Sequence, residues 1–251
     1  MVQILIWVKG FMMSNDGLWE RFRVEIQDEF KKNKESFLTG KVTSRCLHPR
    51  TYPIQVGLKY VNYVGGESHL IPDPDTGNPS LVEGKNSIVS FQSAVYIKMM
   101  KENGLLDVDA VNDIGGGYGN LAWMMRSMGF DKPYTIFDFE EIHKLQDYFL
   151  KQNNIYDINL DFLSNINPID NSLLIGTHSI NEMPLTAREI IPFERYKSIL
   201  IAHNHNFNDV DNIEYFMKLG KRLESLGWDI TRTKSPIQGA QHFFFIGKRN
   251  D

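Results

Sequence analysis

Val111-Asn-Asp-Ile-Gly-Gly-Gly-Tyr-Gly-Asn120 joins a short apolar run to a stretch with helical spacing, and the reading of the whole chain turns on it. In an open α/β sheet such a strand-to-helix join is where ligands bind. Gly115, Gly117 and Gly119 let the backbone come close to a ligand, and a helix beginning near Tyr118 aims free N–H groups at it. A dinucleotide site would require glycine at position 120, where this chain has Asn120. What stands there instead is Asp113-x-Gly115-x-Gly117-x-Gly119, with a carboxylate two residues ahead of the first glycine.

Working outward, the text after Gly104 alternates strand and helix. Strands are expected at 107–113, 133–138, 155–160, 172–178, 197–203, 228–234 and 241–247, with helices between each of the first five. Helix 118–128 stops at Gly129, helix 140–153 carries Ile142, Leu145, Phe149 and Leu150 on one face, and helix 209–226 stops at Gly227. Only Ser235 to Ala240 separates the last two strands, so they form an antiparallel hairpin. The expected class is α/β: a Rossmann-like, seven-stranded, mostly parallel sheet with an antiparallel C-terminal strand and helices on both faces.

Before Gly104 the character differs, which suggests a boundary there: residues 1–103 as an N-terminal helical and irregular cap, and 104–251 as the ligand-binding domain. Trp19, Phe22, Ile26 and Phe30 mark an amphipathic helix over 16–35, and Ile88, Phe91, Val95 and Met99 mark another over 87–103. These helices carry enough apolar surface to pack on the core or on a second copy. Five prolines and five glycines punctuate 47–86, which reads as an irregular, substrate-covering segment.

Composition narrows the function. The 251 residues are 42% hydrophobic and 23% charged with a net charge of −4, so disorder is excluded and no basic tract invites nucleic acid. The single Cys46 cannot form an internal disulfide and lacks the partners of a catalytic thiol, which suggests a reducing, cytoplasmic setting. Met1 to Val8 is too short to span a bilayer and lacks the marks of a signal peptide. Met12 and Met13 precede a helix start at Asn15-Asp16, so the first dozen residues read as an extension.

Asp113 would repel a pyrophosphate, yet it can accept hydrogen bonds from the amino group of an amino-acid-like cofactor. S-adenosylmethionine (SAM) has that group. Asp138, at the end of the second strand, lies where a carboxylate takes ribose hydroxyls, and Phe139 can pack on adenine. Asp161 and Phe162, after the third strand, offer an acceptor for the adenine amino group and a second aromatic face. With Gly115, Gly116, Gly117, Tyr118 and His178 these residues make up the expected cofactor site; the other reading of each acid is a helix cap.

On these residues the sequence resembles class I SAM-dependent methyltransferases over about residues 86 to 249. More narrowly it resembles the sugar O-methyltransferases of bacterial polysaccharide gene clusters. The narrower likeness rests on Asp113-Ile-Gly-Gly-Gly-Tyr-Gly119, on Phe137-Asp-Phe-Glu-Glu141 with Leu145-Gln-Asp-Tyr-Phe149, and on Ser179-Ile-Asn-Glu-Met-Pro184. Two positions depart from it: Phe139-Glu140 where Leu-Pro is usual, and Asn181 where Ser is usual. The resemblance implies transfer of a methyl group from SAM, leaving S-adenosylhomocysteine, to a hydroxyl of a sugar, a nucleotide-sugar or a similar small molecule. The alternative acceptor is a phosphoryl-type oxygen or a nitrogen of an activated precursor.

Transfer to a hydroxyl needs a base beside the cofactor's methyl, at the ends of strands four and five. His203 and His205 sit there, two apart, with Glu182 to hold the imidazolium or to bind the acceptor. His203 is the first choice and His205 the second. A divalent metal held by His203, His205, Glu182 and Asp209 is the less favoured arrangement. His69 and His242 receive no role, and His143 reads as an exposed helix residue.

Overall fold

The computed structural model describes residues 18–49, 54–66, 70–82, 85–237 and 241–250. The expectations for residues 1–12 and for His69 lie outside them. Helix α1 (Leu18–Lys32) buries Phe22, Ile26 and Phe30, one residue per turn, along the face that the sequence marks. A 3₁₀ turn at Phe37–Thr39 and the short α2 (Thr43–Cys46) follow, then α3 (Ile54–Val64) and α4 (Ile88–Glu102). Ser87 caps α4, its side chain accepting from the Ser90 N–H.

The irregular reading of 47–86 missed α3. Gly57, taken as a breaker, lies inside this helix, where an added Cβ would sit 3.1 Å from Val82 and 3.4 Å from Phe91. The small residue therefore serves close packing rather than a turn.

The strands are β1 (Ala110–Ile114), β2 (Tyr134–Phe137), β3 (Ile158–Asp161), β4 (Ser172–Thr177), β5 (Ser198–Asn204), then the short β6 (Asn206–Phe207) and β7 (Val210–Asp211), β8 (Trp228–Lys234) and β9 (His242–Arg249). Among them run α5 (Asn120–Ser127), α6 (Glu140–Gln152), α7 (Leu185–Arg188) and α8 (Asn212–Glu224). The main sheet has seven strands in the order β3-β2-β1-β4-β5-β9-β8, parallel from β3 to β5, with β9 antiparallel to both neighbours. This is the expected class, including the terminal hairpin.

One expectation fails in detail. Between β3 and β4 the described chain makes only a 3₁₀ turn at Leu163–Asn165, and β4 leads to β5 through 3₁₀ turns and the four-residue α7 rather than a full helix. Asn-Pro and Asp-Asn pairs at 167–171 favour turns over helix there.

Burial alternates along the central strands. Leu173, Ile175, Leu200, Ala202, Phe244 and Ile246 face one core, whereas Leu174, Ile199, Ile201 and Phe245 face the other. The first core also contains Phe22, Ile26, Phe30, Phe37, Tyr60 and Phe91, so the N-terminal helices share their apolar interior with the sheet. The apolar faces of α1 and α4 are thereby covered by the chain itself.

Candidate active site

β1 ends at Ile114 and α5 begins at Asn120, leaving Gly115–Gly119 as the turn between them. Gly115, Gly117 and Gly119 all have positive φ, at 70°, 59° and 96°. An added Cβ at Gly115 would collide with Ser179, whose hydroxyl donates to the Ile114 carbonyl; one at Gly117 would meet nothing within 4 Å. The turn thus leans on the β4 loop at one glycine and opens to free space at the next. Asn120, the residue that breaks the dinucleotide pattern, is 3% exposed and donates to Ser93 at 3.1 Å and Ser90 at 3.2 Å. It fastens the turn to α4.

The turn forms one wall of a cavity of about 490 Å³. Asp138, Phe139, Ile142 and Leu163 line it beside Gly115, Gly116, Gly117 and Tyr118; Thr177, His178, Ser179 and Glu182 line the β4 side; Trp19, Phe22, Arg45, Cys46 and Leu47 close it from the N-terminal helices. The β6–β7 hairpin, absent from the sequence reading, adds Phe207 and Asn208.

Asp138 accepts from its neighbour's Phe139 N–H at 2.8 Å and from Gln146 Nε2 at 2.9 Å, and burial pushes its carboxyl up to about 7. Gln146 also donates to the Gly117 carbonyl at 2.9 Å, so one amide ties the acid to the glycine turn. The sequence reading assigned Gln146 no role, although it sits in the block Leu145 to Phe149. Phe139 has the Arg23 guanidinium over its ring at 5.0 Å, which backs the ring with α1.

Four of the expected cofactor residues stand elsewhere or differently. Asp113 is 1% exposed beneath the turn and off the cavity wall; Tyr134 donates to it at 2.8 Å, its second oxygen has no partner among the described residues, and burial pushes it to about 7. Asp161 accepts from the Phe162 N–H and from the Asn165 side-chain amide and is off the cavity wall, and Phe162 turns outward against His143. His143 is accordingly half-buried rather than exposed. Tyr118 is 2% exposed and packs edge-on against Phe149 at 4.9 Å, so it anchors the turn to the core more than it faces the cavity.

The histidines also part company. His203 is 3% exposed between Phe216, 4.3 Å away, and Phe243, and its Nδ1 lies 3.1 Å from the Asn204 carbonyl. Burial pulls it down to about 4, and it is not on the cavity wall. The strand geometry explains this: His203 continues the face of Ile199 and Ile201 and pairs with Phe243 of β9. His205 follows the end of β5, where the strand no longer holds it on the same side; it is exposed and off the wall too. Of the three, His178 lines the cavity, with φ 61° and its N–H donating to the Ala202 carbonyl at 2.8 Å.

Glu182 lines the cavity opposite Asp138's strand, on the β4 side. Trp19 Nε1 donates to one of its oxygens at 2.9 Å, and burial pushes the carboxyl up to about 7 despite that bond. A carboxyl raised towards neutrality by burial is a stronger base than an ordinary carboxylate. Among the described residues no group of three or more His, Cys, Asp or Glu is gathered to hold a metal, and no helix is long and apolar enough to cross a membrane.

The sequence matches no protein-family model and no curated protein. Among solved structures, the methyltransferase domain of bacterial CtHen1-C aligns over 64% of this chain and 97% of its own with a TM-score of 0.50 at 13% identity. The fold is that of the SAM-dependent methyltransferases. A SAM-dependent methyltransferase from Clostridium acetobutylicum is also similar, with a TM-score of 0.49 at 13% identity over 63% of this chain and 91% of its own. In a methyltransferase fold the residues found here fit the cofactor: an open glycine cradle at Gly117, a wall carboxylate at Asp138 and apolar side chains beyond it.

Proposed function

We propose that the protein is a SAM-dependent methyltransferase that methylates a hydroxyl of a small molecule enclosed beneath α1 and α2, a sugar or nucleotide-sugar being the class that the sequence resemblance favours. The observation that carries this is a single cavity running from Gly117 and Asp138 to Glu182 under Trp19. SAM, when bound, supplies an electrophilic methyl group on a sulfonium. The Gly115–Gly117 backbone and Asp138 would hold its amino-acid and ribose parts, and Phe139, Ile142 and Leu163 would supply the apolar surface for its base.

Glu182 takes the proton from the acceptor hydroxyl as the oxygen attacks. One of its oxygens is occupied by Trp19, which leaves the other for the acceptor. Trp19, Phe22 and Tyr96 offer flat apolar faces to a sugar ring, while Gln92, Ser93 and Asn208 offer hydrogen bonds. The helices over the cavity favour a small acceptor over a polymer. A nitrogen or phosphoryl oxygen would need no base, so transfer that survives Glu182→Gln would identify such an acceptor.

Titration calorimetry with S-adenosylhomocysteine tests the cofactor half. Wild type should bind, and Asp138→Ala should weaken binding by a factor of about 10 or more, the scale of a lost hydrogen bond to a charged group. No heat from the wild-type protein would overturn the reading.

A further inference from the structure

Arg188 is 0% exposed, yet no carboxylate pairs with it among the described residues. Burying an arginine without a counter-ion is costly. Its presence there calls for a role that offsets the cost. Its contacts suggest what: Nη2 donates to the Asn181 carbonyl at 2.7 Å and Nε to the Met183 carbonyl at 3.0 Å. These carbonyls flank Glu182 on both sides.

The chain makes this grip possible. Pro184 starts a turn in which the Arg188 N–H bonds back to the Pro184 carbonyl, so the side chain returns over the segment it came from. The guanidinium then stacks on Tyr215 of α8 at 4.6 Å, which fixes the far side of the head group. Arg188 thus holds the carbonyls on either side of Glu182, the Glu182 N–H donates to the Ser179 carbonyl at 2.9 Å, and Trp19 holds one carboxylate oxygen.

We propose that Arg188 is a positioning residue that fixes the Asn181–Met183 backbone so that the Glu182 carboxylate meets Trp19 and the acceptor. The inference rests on the reading of Glu182 as the base. A planar fork is required because the two carbonyls sit two residues apart and must be reached by different nitrogens of one rigid head. Lysine, with a single ammonium, does not reproduce that span.

The test uses the Trp19 indole as a reporter and needs no acceptor. In ¹H–¹⁵N spectra of the full chain the Trp19 Nε1–H resonance, assigned by its loss in Trp19→Phe, should move with pH as Glu182 ionises. The other charged or titratable groups that line the cavity are Glu20 of α1, Arg45 and Cys46 of α2, Tyr96 of α4, Tyr118, Asp138 and His178. Glu182→Gln should abolish the movement and so separates Glu182 from them.

In Arg188→Met the Trp19 titration should be lost while a cooperative melting transition and the S-adenosylhomocysteine affinity are kept, the melting temperature falling by a few degrees for the two carbonyls left unpaired. Arg188→Lys, which keeps the charge but not the fork, should lose the titration as well. An unchanged titration in either variant overturns the proposal. So does a result in which the Trp19 signal disappears only together with the melting transition and cofactor binding in both variants, since Arg188 would then serve the fold at large. Transfer that survives Glu182→Gln would sink the base reading alone, because the indole signal reports where Glu182 sits whatever its chemistry.

Discussion

At the scale of single residues, the proposed transfer to a hydroxyl needs one proton acceptor, and of the residues proposed for it from the sequence Glu182 is the one that lines the cavity. His203 is sealed between two phenylalanines, and burial pulls it down to about 4; His205 is exposed and off the wall. Glu182→Gln keeps the shape and the Trp19 contact but removes the basic oxygen. Its kcat should fall by about 10² to 10⁴, the usual worth of a positioned general base, with cofactor affinity intact. His205→Ala should turn over as wild type does. Steady-state transfer from labelled SAM decides between them: loss in His205→Ala with survival in Glu182→Gln would reverse the assignment.

At the scale of elements, α2 brings Arg45 and Cys46 to the cavity, yet it has only four residues and cannot hold its own place. Glu29 of α1 does so. Its carboxylate accepts from the Val42 and Thr43 N–H groups at 2.9 and 3.0 Å and from the Thr43 hydroxyl, capping the first turn. Glu29→Ala should cost about 1 to 3 kcal/mol of stability for these charged hydrogen bonds and raise the KM for the acceptor, while S-adenosylhomocysteine binds as before. Equal loss of both affinities would show that α2 is not confined to the acceptor side.

Glu29 also shows where the legibility of the sequence ends. Elements that repeat a local rule were readable: the glycine turn, the amphipathic faces of α1 and α6, and the terminal hairpin follow from spacing within one segment. Contacts that join distant segments were not. Trp19 reaches Glu182 across 163 residues, and nothing in either neighbourhood marks the pair. The histidines misled for a related reason. Strand alternation places His203 on one face, but which face meets the cavity depends on β9 and α8, elements read from other parts of the chain.

At the scale of the whole molecule, the site imposes an unusual dependence of stability on pH. Burial pushes Asp113, Asp138 and Glu182 each up to about 7, and Asp73 shifts the same way. In the unfolded chain such groups ionise near their ordinary values of about 4. Between those limits the folded protein holds more protons than the unfolded one. The stabilisation from these carboxyls is therefore complete at low pH and is lost as pH rises through about 7. Buried histidines act in the other direction: His203 is pulled down to about 4, and His143 and His242 are also lowered, so they favour unfolding as pH drops below about 6.5. The two sets oppose each other in acid. Between about pH 6.5 and 7.5 the histidines lose their remaining unfolded-state protons, a smaller effect than that of the three carboxyls, and above about 7.5 they are neutral in both states. The melting temperature of the ligand-free protein should consequently fall between about pH 6.5 and 8, the reverse of ordinary carboxylate-stabilised proteins. Asp113→Asn keeps an acceptor for the Tyr134 hydroxyl while removing one titrating group, so its melting temperature should fall less steeply over the same interval. Scanning calorimetry across that interval checks both, and a wild-type curve that is flat or rising would mean that these carboxyls are solvated in the folded protein.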